Sequence, residues 1–466
     1  MLQHTTKNPK IIMPNNSINL KKDSIYSLFI KIAIPSSIGT IFQNLYSVVD
    51  SIFAGKMISD QALAAIGQIF PIYFIIIALG VGLSIGTTAL IANSIGENNL
   101  NNSGNIFTQS FLLSILVALL VTFIGIYFSP ALIMFMNKDL ITLNLSLRYI
   151  NIIFFGSIFI FILMSINSSL SAQGDTKSYR NVLIFSFFLN IALNPILISG
   201  KFFNYQLFSP LGIDGIAYAT IISQFVGIFY LFIKLSKTLI YKYVKITIIP
   251  NIKIIKNILS QGIPASIGMM MIAIGSYILI YFVGIFGVDA IAGYTAAGRY
   301  EQLFFLPLLG LSTATVSIVG QNFGAKQFLR VLETYKKALA VAVMILSILG
   351  IIIFTTSEIA MSLFTENEEV KKFGSNYLKI SALMFPAFPF FFIGNATFQG
   401  LKKAIIVMYM AIMRFVFIPL VMVSMIFYQF GESYMLMFYS IAFMHWAIGL
   451  SYYYFCAKKF RSILNL

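Results

Sequence analysis

Charged residues are scarce in this sequence. Only 10% of its 466 residues are charged, whereas a soluble domain carries about 25%. It has one cysteine, Cys456, and two histidines, His4 and His445. An internal disulfide is therefore excluded, and no Cys/His spacing typical of a zinc site is present. The sequence also lacks the phosphate-binding G-x-x-x-x-G-K-[ST] stretch and a readable Ser/His/Asp set. We expect neither a metal centre nor an enzyme.

Apolar residues are abundant instead. They make up 59% of the chain, and the mean hydropathy is +0.89. Apolar runs of about 20 residues recur, which is the length of a helix that crosses a bilayer. A membrane β-barrel would show shorter, alternating segments. The sequence therefore predicts an all-α membrane protein with twelve transmembrane helices. The predicted spans are 26–49, 61–94, 104–128, 148–171, 181–199, 214–240, 257–285, 290–320, 334–356, 376–398, 404–428 and 433–457.

The distribution of positive charge predicts the orientation. Twelve is an even number, so both termini lie on one side of the membrane. If that side is the cytoplasm, Lys and Arg in inner segments outnumber those in outer segments about three to one. The net charge of +16 then indicates affinity for anionic lipid. It does not indicate nucleic-acid binding, because the charges are scattered over loops.

The sequence contains an internal repeat. "IPSSIG" (34–39) recurs as "IPASIG" (263–268), and "GLSIGTTALIANSIG" (82–96) recurs as "GLSTATVSIVGQNFG" (310–324). Weaker echoes are "ALAA" (62–65) with "AIAG" (290–293), and "SAQGDTK" (171–177) with "TFQGLKK" (397–403). All four pairs are separated by 226 to 229 residues.

Each half of the repeat holds six predicted spans, so the halves have the same orientation. We therefore predict two six-helix lobes related by a pseudo-twofold axis along the membrane normal, an arrangement used by carriers that alternate access around a central cavity. The expected divisions are a cytoplasmic tail (1–25) without a removable signal, an N-lobe (26–240), a basic linker (241–256), a C-lobe (257–457) and a cytoplasmic tail (458–466).

Several segments together resemble the multidrug and toxic compound extrusion family. They are "IPSSIG…YSVVDSIFAG…ALAAIG", "QGDTKSY…NIALNPILI", "GIDGIAYATIISQ" and "GQNFGAK", in family order from about residue 34 to 403. The resemblance implies cation-coupled efflux of amphipathic organic compounds. It also implies that the N-lobe cation or proton site lies on Asp50.

Asp50 is the main titratable candidate. Gln43, Tyr46 and Asp50 stand at i, i+3 and i+7, so they share one helix face. Pro35 removes one backbone hydrogen bond and can bend the helix. The resemblance places Gln43 and Tyr46 on the cavity wall and Pro35 at the bend. The alternative is that Asp50 caps the span at the outer interface and pairs with Lys56.

Polar residues in later N-lobe spans are further candidates. Asn190 and Asn194 lie one turn apart and are followed by Pro195. Their amides could coordinate a cation, hydrogen-bond a protonated acid, or join packed helices. Some members of the family that the sequence resembles have a second acid where this chain has Asn194, which leaves Asp50 as the strong titratable candidate. Thr220 and Asn167 are weaker candidates for the cavity wall, and interhelical hydrogen bonds are their alternative role.

The C-lobe carries charges of both signs within predicted spans. Arg299, Glu301 and Arg414 fall roughly 15–18 Å from the span ends, near the bilayer midplane. Because an unpaired charge is costly at that depth, we expect Glu301 to contact Arg414 or Arg299. A second coupling site is the other interpretation. Some family members have an acid in span seven, but here that segment reads "SIGMMMIAIGSYILI" and has none.

These observations predict an exporter in the plasma membrane, coupled to H⁺ or Na⁺, that acts on amphipathic, cationic organic compounds. We expect no cofactor, no nucleic-acid partner and a monomeric protein in contact with membrane lipid. A flippase for lipid-linked precursors, from the same wider superfamily, is the main alternative. An intramembrane enzyme acting on lipids is a more distant one.

Overall fold

Long α-helices make up nearly all of the described chain. The computed structural model describes residues 18–136, 139–203, 205–245, 247–424 and 433–465. In chain order the helices are α1 (Ile25–Met57), α2 (Asp60–Gly96), α3 (Leu100–Met136), α4 (Leu140–Ala172), α5 (Lys177–Ser199), α6 (Ile213–Ser236), α7 (Ile252–Gly284), α8 (Val288–Phe304), α9 (Leu306–Gly324), α10 (Phe328–Ser362), α11 (Glu368–Met384), α12 (Phe388–Gly400), α13 (Ala404–Ile412) and α14 (Tyr434–Leu464). Shorter elements are a hairpin of β1 (Lys201–Phe202) with β2 (Tyr205–Gln206), 3-10 turns at Ile240–Tyr243 and Phe385–Ala387, and π-helical segments at Met413–Phe417 and Pro419–Val423.

The described helices account for the predicted membrane crossings. By length and composition, eleven segments are long and apolar enough to span a bilayer. A twelfth crossing forms when α8 and α9, which meet at a 46° bend, are taken together. The chain is thus an all-α protein of the membrane-spanning class, as its composition predicts.

Two of the crossings are broken by proline. Pro307 lies in the first turn of α9 and has no N–H to donate to the carbonyl of Leu303 one turn earlier. The helix therefore breaks at Phe305, and predicted span eight is bent rather than straight. A similar break at Phe385–Ala387 separates α11 from α12, where Pro389 lies in the first turn of α12. The helix α1 is continuous through Pro35, so a bend at that residue stays a prediction.

Two segment boundaries differ from those expected. The predicted linker 241–256 ends early, because Asn251 caps α7 by accepting a hydrogen bond from the N–H of Ile254 at 3.2 Å. The predicted C-terminal tail is mostly helical, since α14 continues to Leu464. Of the predicted N-terminal tail, residues 1–17 lie outside the described residues.

Buried apolar side chains form two large clusters, one in each half. The first cluster runs from Ala54 to Ile258 and joins α1 to α7. The second runs from Phe282 to Leu464 and also includes the beginning of α1. Each half thus has its own core, and the halves share the helices that lie between them.

Equivalent small residues bring the two halves together. A methyl group on Gly82 of α2 would lie 2.1 Å from the Oγ of Ser266 on α7. A methyl group on Gly310 of α9 would lie 2.1 Å from the Oγ of Ser37 on α1. Gly82 and Gly310 are equivalent in the repeat, and so are Ser37 and Ser266. The same contact therefore occurs twice, as a pseudo-twofold axis requires.

A second pair of contacts crosses between the halves at the helix ends. The Nδ2 of Asn93 on α2 donates to the carbonyl of Gly400, the last residue of α12, at 2.9 Å. The Nε2 of Gln321 on α9 donates to the carbonyl of Ala172, the last residue of α4, at 2.7 Å. Asn93 and Gln321 are equivalent in the repeat. We call these two hydrogen bonds the crossed amides, and they join the two halves near one end of the helices.

Candidate functional site

Helices α1, α5 and α6 bring a buried carboxylate together with neutral hydrogen-bond donors. Asp50 on α1 is only 4% exposed. Its Oδ1 accepts a hydrogen bond from the Nδ2 of Asn194 at 3.1 Å, and its Oδ2 accepts one from the Oγ1 of Thr220 at 3.1 Å. The sequence predicted all three as site residues, and the structure places them in direct contact.

Asn190 completes this cluster one turn away from Asn194 on α5. The Nδ2 of Asn194 also donates to the Oδ1 of Asn190 at 3.0 Å. The Oδ1 of Asn194 and the Nδ2 of Asn190 are buried and have no hydrogen-bond partner within the described protein. Such orphaned polar atoms are costly in a protein interior. The cluster therefore has unused capacity to bind a ligand through carboxylate and amide oxygens, which suit hard cations.

Three tyrosines surround the same carboxylate. The hydroxyl of Tyr46 on α1 donates to the carbonyl of Thr220 at 3.4 Å. Tyr73 on α2 and Tyr149 on α4 lie within electrostatic range of Asp50. Tyr46 was predicted from the sequence, whereas Tyr73 and Tyr149 were not. The internal repeat offered a sequence signal for Tyr149, because it aligns this residue with Tyr377 in the second half.

No cation of the described protein pairs with Asp50. The nearby Lys56 is exposed and makes no ion pair with it. The helix α1 continues for seven residues beyond Asp50 to Met57, so Asp50 lies within the helix rather than at its end. The alternative that Asp50 caps the span and pairs with Lys56 is therefore wrong.

The remaining N-lobe candidates lie at varying distances from this cluster. Gln43 is half-buried on α1, two turns before Asp50. Pro35 lies a further two turns back. Asn167 is distant, because α4 runs antiparallel to α1 and Asn167 is near its far end, about 30 Å away along the membrane normal. Its Oδ1 accepts a hydrogen bond from Ser171 at 3.2 Å instead. Asn167 is therefore not part of the Asp50 cluster.

The second half buries a different carboxylate. Glu301 on α8 is 7% exposed. Its Oε2 accepts a hydrogen bond from the hydroxyl of Tyr377, and its Oε1 accepts one from the Oγ of Ser381, both at 2.6 Å. Both donors lie on α11, one turn apart. Tyr377 packs in turn against the rings of Tyr294 and Phe438.

Arg414 lies elsewhere in the second half. It occupies the π-helical segment Met413–Phe417 and is 6% exposed. Its Nε donates to the Nε2 of His445 at 3.3 Å. Four phenylalanine rings surround the guanidinium carbon with centroids at 4.2 to 5.6 Å. They belong to Phe388, Phe391, Phe392 and Phe415.

The expected contact of Glu301 with an arginine is therefore wrong. Arg299 is exposed on α8, on a different face from Glu301. Arg414 is separated from Glu301 by depth. Phe438 on α14 packs against Tyr377, the hydrogen-bond partner of Glu301. His445, the hydrogen-bond partner of Arg414, lies seven residues, or about 10 Å, further along α14. Two hydroxyl donors satisfy the acid, and aromatic rings with an imidazole surround the cation.

A family model matches most of the chain. The MatE model matches twice, at residues 35–196 and 264–425. This chain belongs to the MatE family. The two matches coincide with the internal repeat, and the resemblance noted in the sequence is confirmed. The MatE chain is a multi-pass membrane transporter of small molecules and is not an enzyme.

Curated relatives and solved structures agree with this assignment. The chain is 27% identical over 387 residues to "Probable multidrug resistance protein YoeA" of Bacillus subtilis, and this match covers 80% of each chain. It is 24% identical over 410 residues to "Multidrug export protein MepA" of Staphylococcus aureus, which covers 85% of this chain and 89% of the relative. It superposes with a TM-score of 0.87 and 24% identity on an outward-facing MATE family transporter, over 97% of this chain and 100% of the other. The fold is thus the MATE fold of twelve transmembrane helices in two lobes.

Proposed function

We propose that this MatE protein exports amphipathic, mainly cationic organic compounds in exchange for H⁺ or Na⁺, and that Asp50 binds the coupling ion. The observation that carries the proposal is the buried Asp50 carboxylate, which meets only neutral partners among the described residues. The relatives' names support drug export, since they are called multidrug resistance and multidrug export proteins.

The surroundings of Asp50 suit reversible binding of a cation. An ionised carboxylate in a protein interior needs compensation, and two neutral donors supply only part of it. A proton would neutralise the acid. A sodium ion would add the oxygen of Asn194, which has no other partner in the described structure. A 180° rotation of the Asn190 or Asn194 amide exchanges its oxygen and its NH₂, so the same side chains serve the free and the bound acid.

Export would follow from competition at this acid. The ionised carboxylate attracts a cationic compound, and a proton or sodium ion entering from outside neutralises it. The compound is then released, because both cannot be held at once. Pro35 gives α1 a position to bend between the two states. Gln43 and Tyr46 would line the path of the compound on the same helix face.

The proposed orientation places both termini in the cytoplasm and the protein in the plasma membrane as a monomer. The excess of Lys and Arg in the inner segments supports this orientation. On this assignment the crossed amides lie at the cytoplasmic end of the cleft. Substrate release toward the outside is consistent with closure at that end.

Transport into proteoliposomes with a single imposed gradient tests the proposal. A pH gradient alone and a sodium gradient alone are compared for the wild type, Asp50→Asn and Asp60→Asn. Asp60 is an exposed carboxylate in the first turn of α2, so it is a matched control. We expect one gradient to drive wild-type and control transport and neither to drive Asp50→Asn. Wild-type rates in the Asn variant would mean that Asp50 does not bind the coupling ion.

A flippase for lipid-linked precursors is the second candidate. The buried Arg414 favours it, because such a cargo carries phosphate groups and needs a cationic cavity. Dye efflux and lipid-flipping assays on the same proteoliposomes separate the two functions. Flipping without dye efflux would replace the first candidate with the second.

A further inference from the structure

Arg414 is a buried cation that has no anionic partner in the described structure. None of the ion pairs among the described residues includes it. Glu301, the buried acid of the same half, accepts its hydrogen bonds from Tyr377 and Ser381.

The local structure holds the guanidinium in a fixed position. His445 is oriented by its Nδ1, which donates to the carbonyl of Ile441 at 3.1 Å, and its Nε2 accepts from the Nε of Arg414 at 3.3 Å. The surrounding phenylalanine rings hold the guanidinium plane by cation–π contact. The two terminal amino groups of Arg414 make no hydrogen bond within the described protein. They remain available as the paired donors that suit a carboxylate.

The backbone around Arg414 is unusual. Its residues form a π-helical turn, a feature that often occurs at functional sites. The main chain of Phe415 also approaches α7 closely, since a methyl group on Gly275 would lie 2.5 Å from the carbonyl of Phe415. The turn that carries Arg414 is therefore held by the neighbouring helix.

An apolar cavity that is open to the surface, where Tyr409 and Phe455 are exposed, begins one helical turn from the cation. It has a volume of about 360 Å³ and is lined by residues of α13 and α14. Met410 and Ile448 in its wall lie four residues before Arg414 and three after His445. A cavity of this size is within the range that holds small organic molecules. The cation and the cavity together suit a compound with an anionic head and an apolar body.

We propose that Arg414 binds the carboxylate of an amphipathic organic acid or zwitterion, whose apolar part occupies the cavity between α13 and α14. The site lies in the opposite lobe from Asp50. The inference rests on the proposed export function and deepens it, because it names the residue that would recognise the carboxylate of an exported compound. The arginine supplies charge and paired donors, and His445 positions the arginine.

Two dyes that differ only in the carboxylate test this site. Rhodamine 110 has a free carboxylate, and rhodamine 123 is its methyl ester. Their equilibrium binding is measured by fluorescence polarisation on the full-length protein in phosphatidylcholine nanodiscs without any gradient. We expect Arg414→Gln to weaken rhodamine 110 binding about tenfold and rhodamine 123 binding less than about twofold. Arg299→Gln, at an exposed arginine of the same lobe, is the matched control and should change neither. An equal loss for both dyes, or no change for either, overturns the proposal.

A competition experiment on the wild type does not depend on the folding of a variant. Octanoate should displace rhodamine 110, whereas octanol at the same concentration should not. Failure of octanoate to displace the dye overturns the proposal. Phosphatidylglycerol in the nanodiscs should not compete; displacement by this lipid that Arg414→Gln abolishes would assign the site to a lipid headgroup instead. Asp50→Asn should leave octanoate displacement unchanged. A failure of the Asp50 proposal can therefore be distinguished from a failure of the Arg414 proposal.

Discussion

Each half of the molecule buries one carboxylate, but the two acids come from different helices. Asp50 lies on α1 of the first half, and its repeat equivalent in the second half is Leu279. Glu301 lies on α8, and its equivalent in the first half is Tyr73. Tyr73 is nonetheless a neighbour of Asp50. The repeat thus forms the same pocket twice and places the acid on a different wall of each copy.

The partners of the two acids differ as well. Asp50 meets an amide and a hydroxyl, and the amides beside it have unpaired polar atoms. Glu301 receives two short hydrogen bonds from hydroxyls on one helix, among packed aromatic rings. The first pocket has spare capacity for a ligand, and the second is satisfied by the protein. The glycine–serine contacts between the halves, by contrast, occur at equivalent residues in both copies. The two halves therefore share the packing contacts between them but differ in the polar groups that surround their buried acids.

The largest difference between the halves is expected when each buried acid is replaced by its amide in a separate variant. Asp50→Asn should reduce gradient-driven transport at least about a hundredfold and leave the melting temperature nearly unchanged. The new NH₂ group can donate to the unpaired Oδ1 of Asn194 once that amide rotates. Glu301→Gln should lower the free energy of unfolding by about 1–3 kcal/mol, since an NH₂ group then faces a hydroxyl donor. Its transport should stay within about threefold of wild type. Transport assays and thermal unfolding on the same preparations measure both. Loss of transport in Glu301→Gln at unchanged stability would make the second pocket a coupling site too.

The interface glycines come next in expected size. Gly82→Val and Gly310→Val each force a side chain against the opposite serine and its backbone. Each should lower the free energy of unfolding by about 1–3 kcal/mol or more. Gly67→Val in α2 is the control, because a methyl group there meets nothing within 4 Å. The two interface losses should agree within about 0.5 kcal/mol. Thermal unfolding measures them, and a large effect at one glycine alone would show that the contacts are not equivalent.

The two equivalent tyrosines should differ in effect. Tyr377→Phe removes a donor from the buried Glu301 and should cost about 1–3 kcal/mol of stability. Tyr149→Phe removes a hydroxyl that lies near Asp50, where Asn194 and Thr220 remain as donors. We expect it to cost less than about 1 kcal/mol. Chemical denaturation of the two variants beside the wild type gives the comparison. Equal costs would mean that the two pockets hold their acids in the same way.

The smallest effect is expected from the crossed amides. Asn93→Ala and Gln321→Ala each remove one hydrogen bond between the halves and should cost about 0.5–1.5 kcal/mol. Both should shift the protein toward a state open at this end. Spin labels on Lys177→Cys and Lys403→Cys, in equivalent loops, report the separation of the halves. A shift in only one variant would contradict an equal role for the two contacts.

Much of the architecture could be predicted from the sequence. Apolar length defines membrane helices, and the echo of "IPSSIG" in "IPASIG" reveals the repeat. Asp50, at the centre of the first cluster, was also predictable, since charged residues are scarce within the first six predicted spans. Its tyrosines were missed because aromatic residues are common in every span. Aligning the two halves pairs Tyr149 with Tyr377, and a tyrosine at the same position of both halves was a signal that the sequence offered.

The predicted contact of Glu301 with Arg414 or Arg299 was wrong for a physical reason. Sequence position gives the depth of a residue along a straight helix, but it does not give the direction in which the side chain points. Glu301 precedes a bend that Pro307 causes, and Arg414 lies in a π-helical turn. Both features change depth and direction together. Pro307 was a visible signal for the bend, whereas no pattern around Arg414 indicates the π-helical turn.

The crossed amides have a consequence for leakage. The two hydrogen bonds lie on either side of the pseudo-twofold axis, so the closed end opens only when both are broken. If each contact costs about 1.4 kcal/mol to break, it is open by itself about one time in ten, and both are open together about one time in a hundred. Two weak contacts that must open together thus keep this end closed as firmly as one contact of twice the free energy. Each contact can still be broken separately, at half that cost.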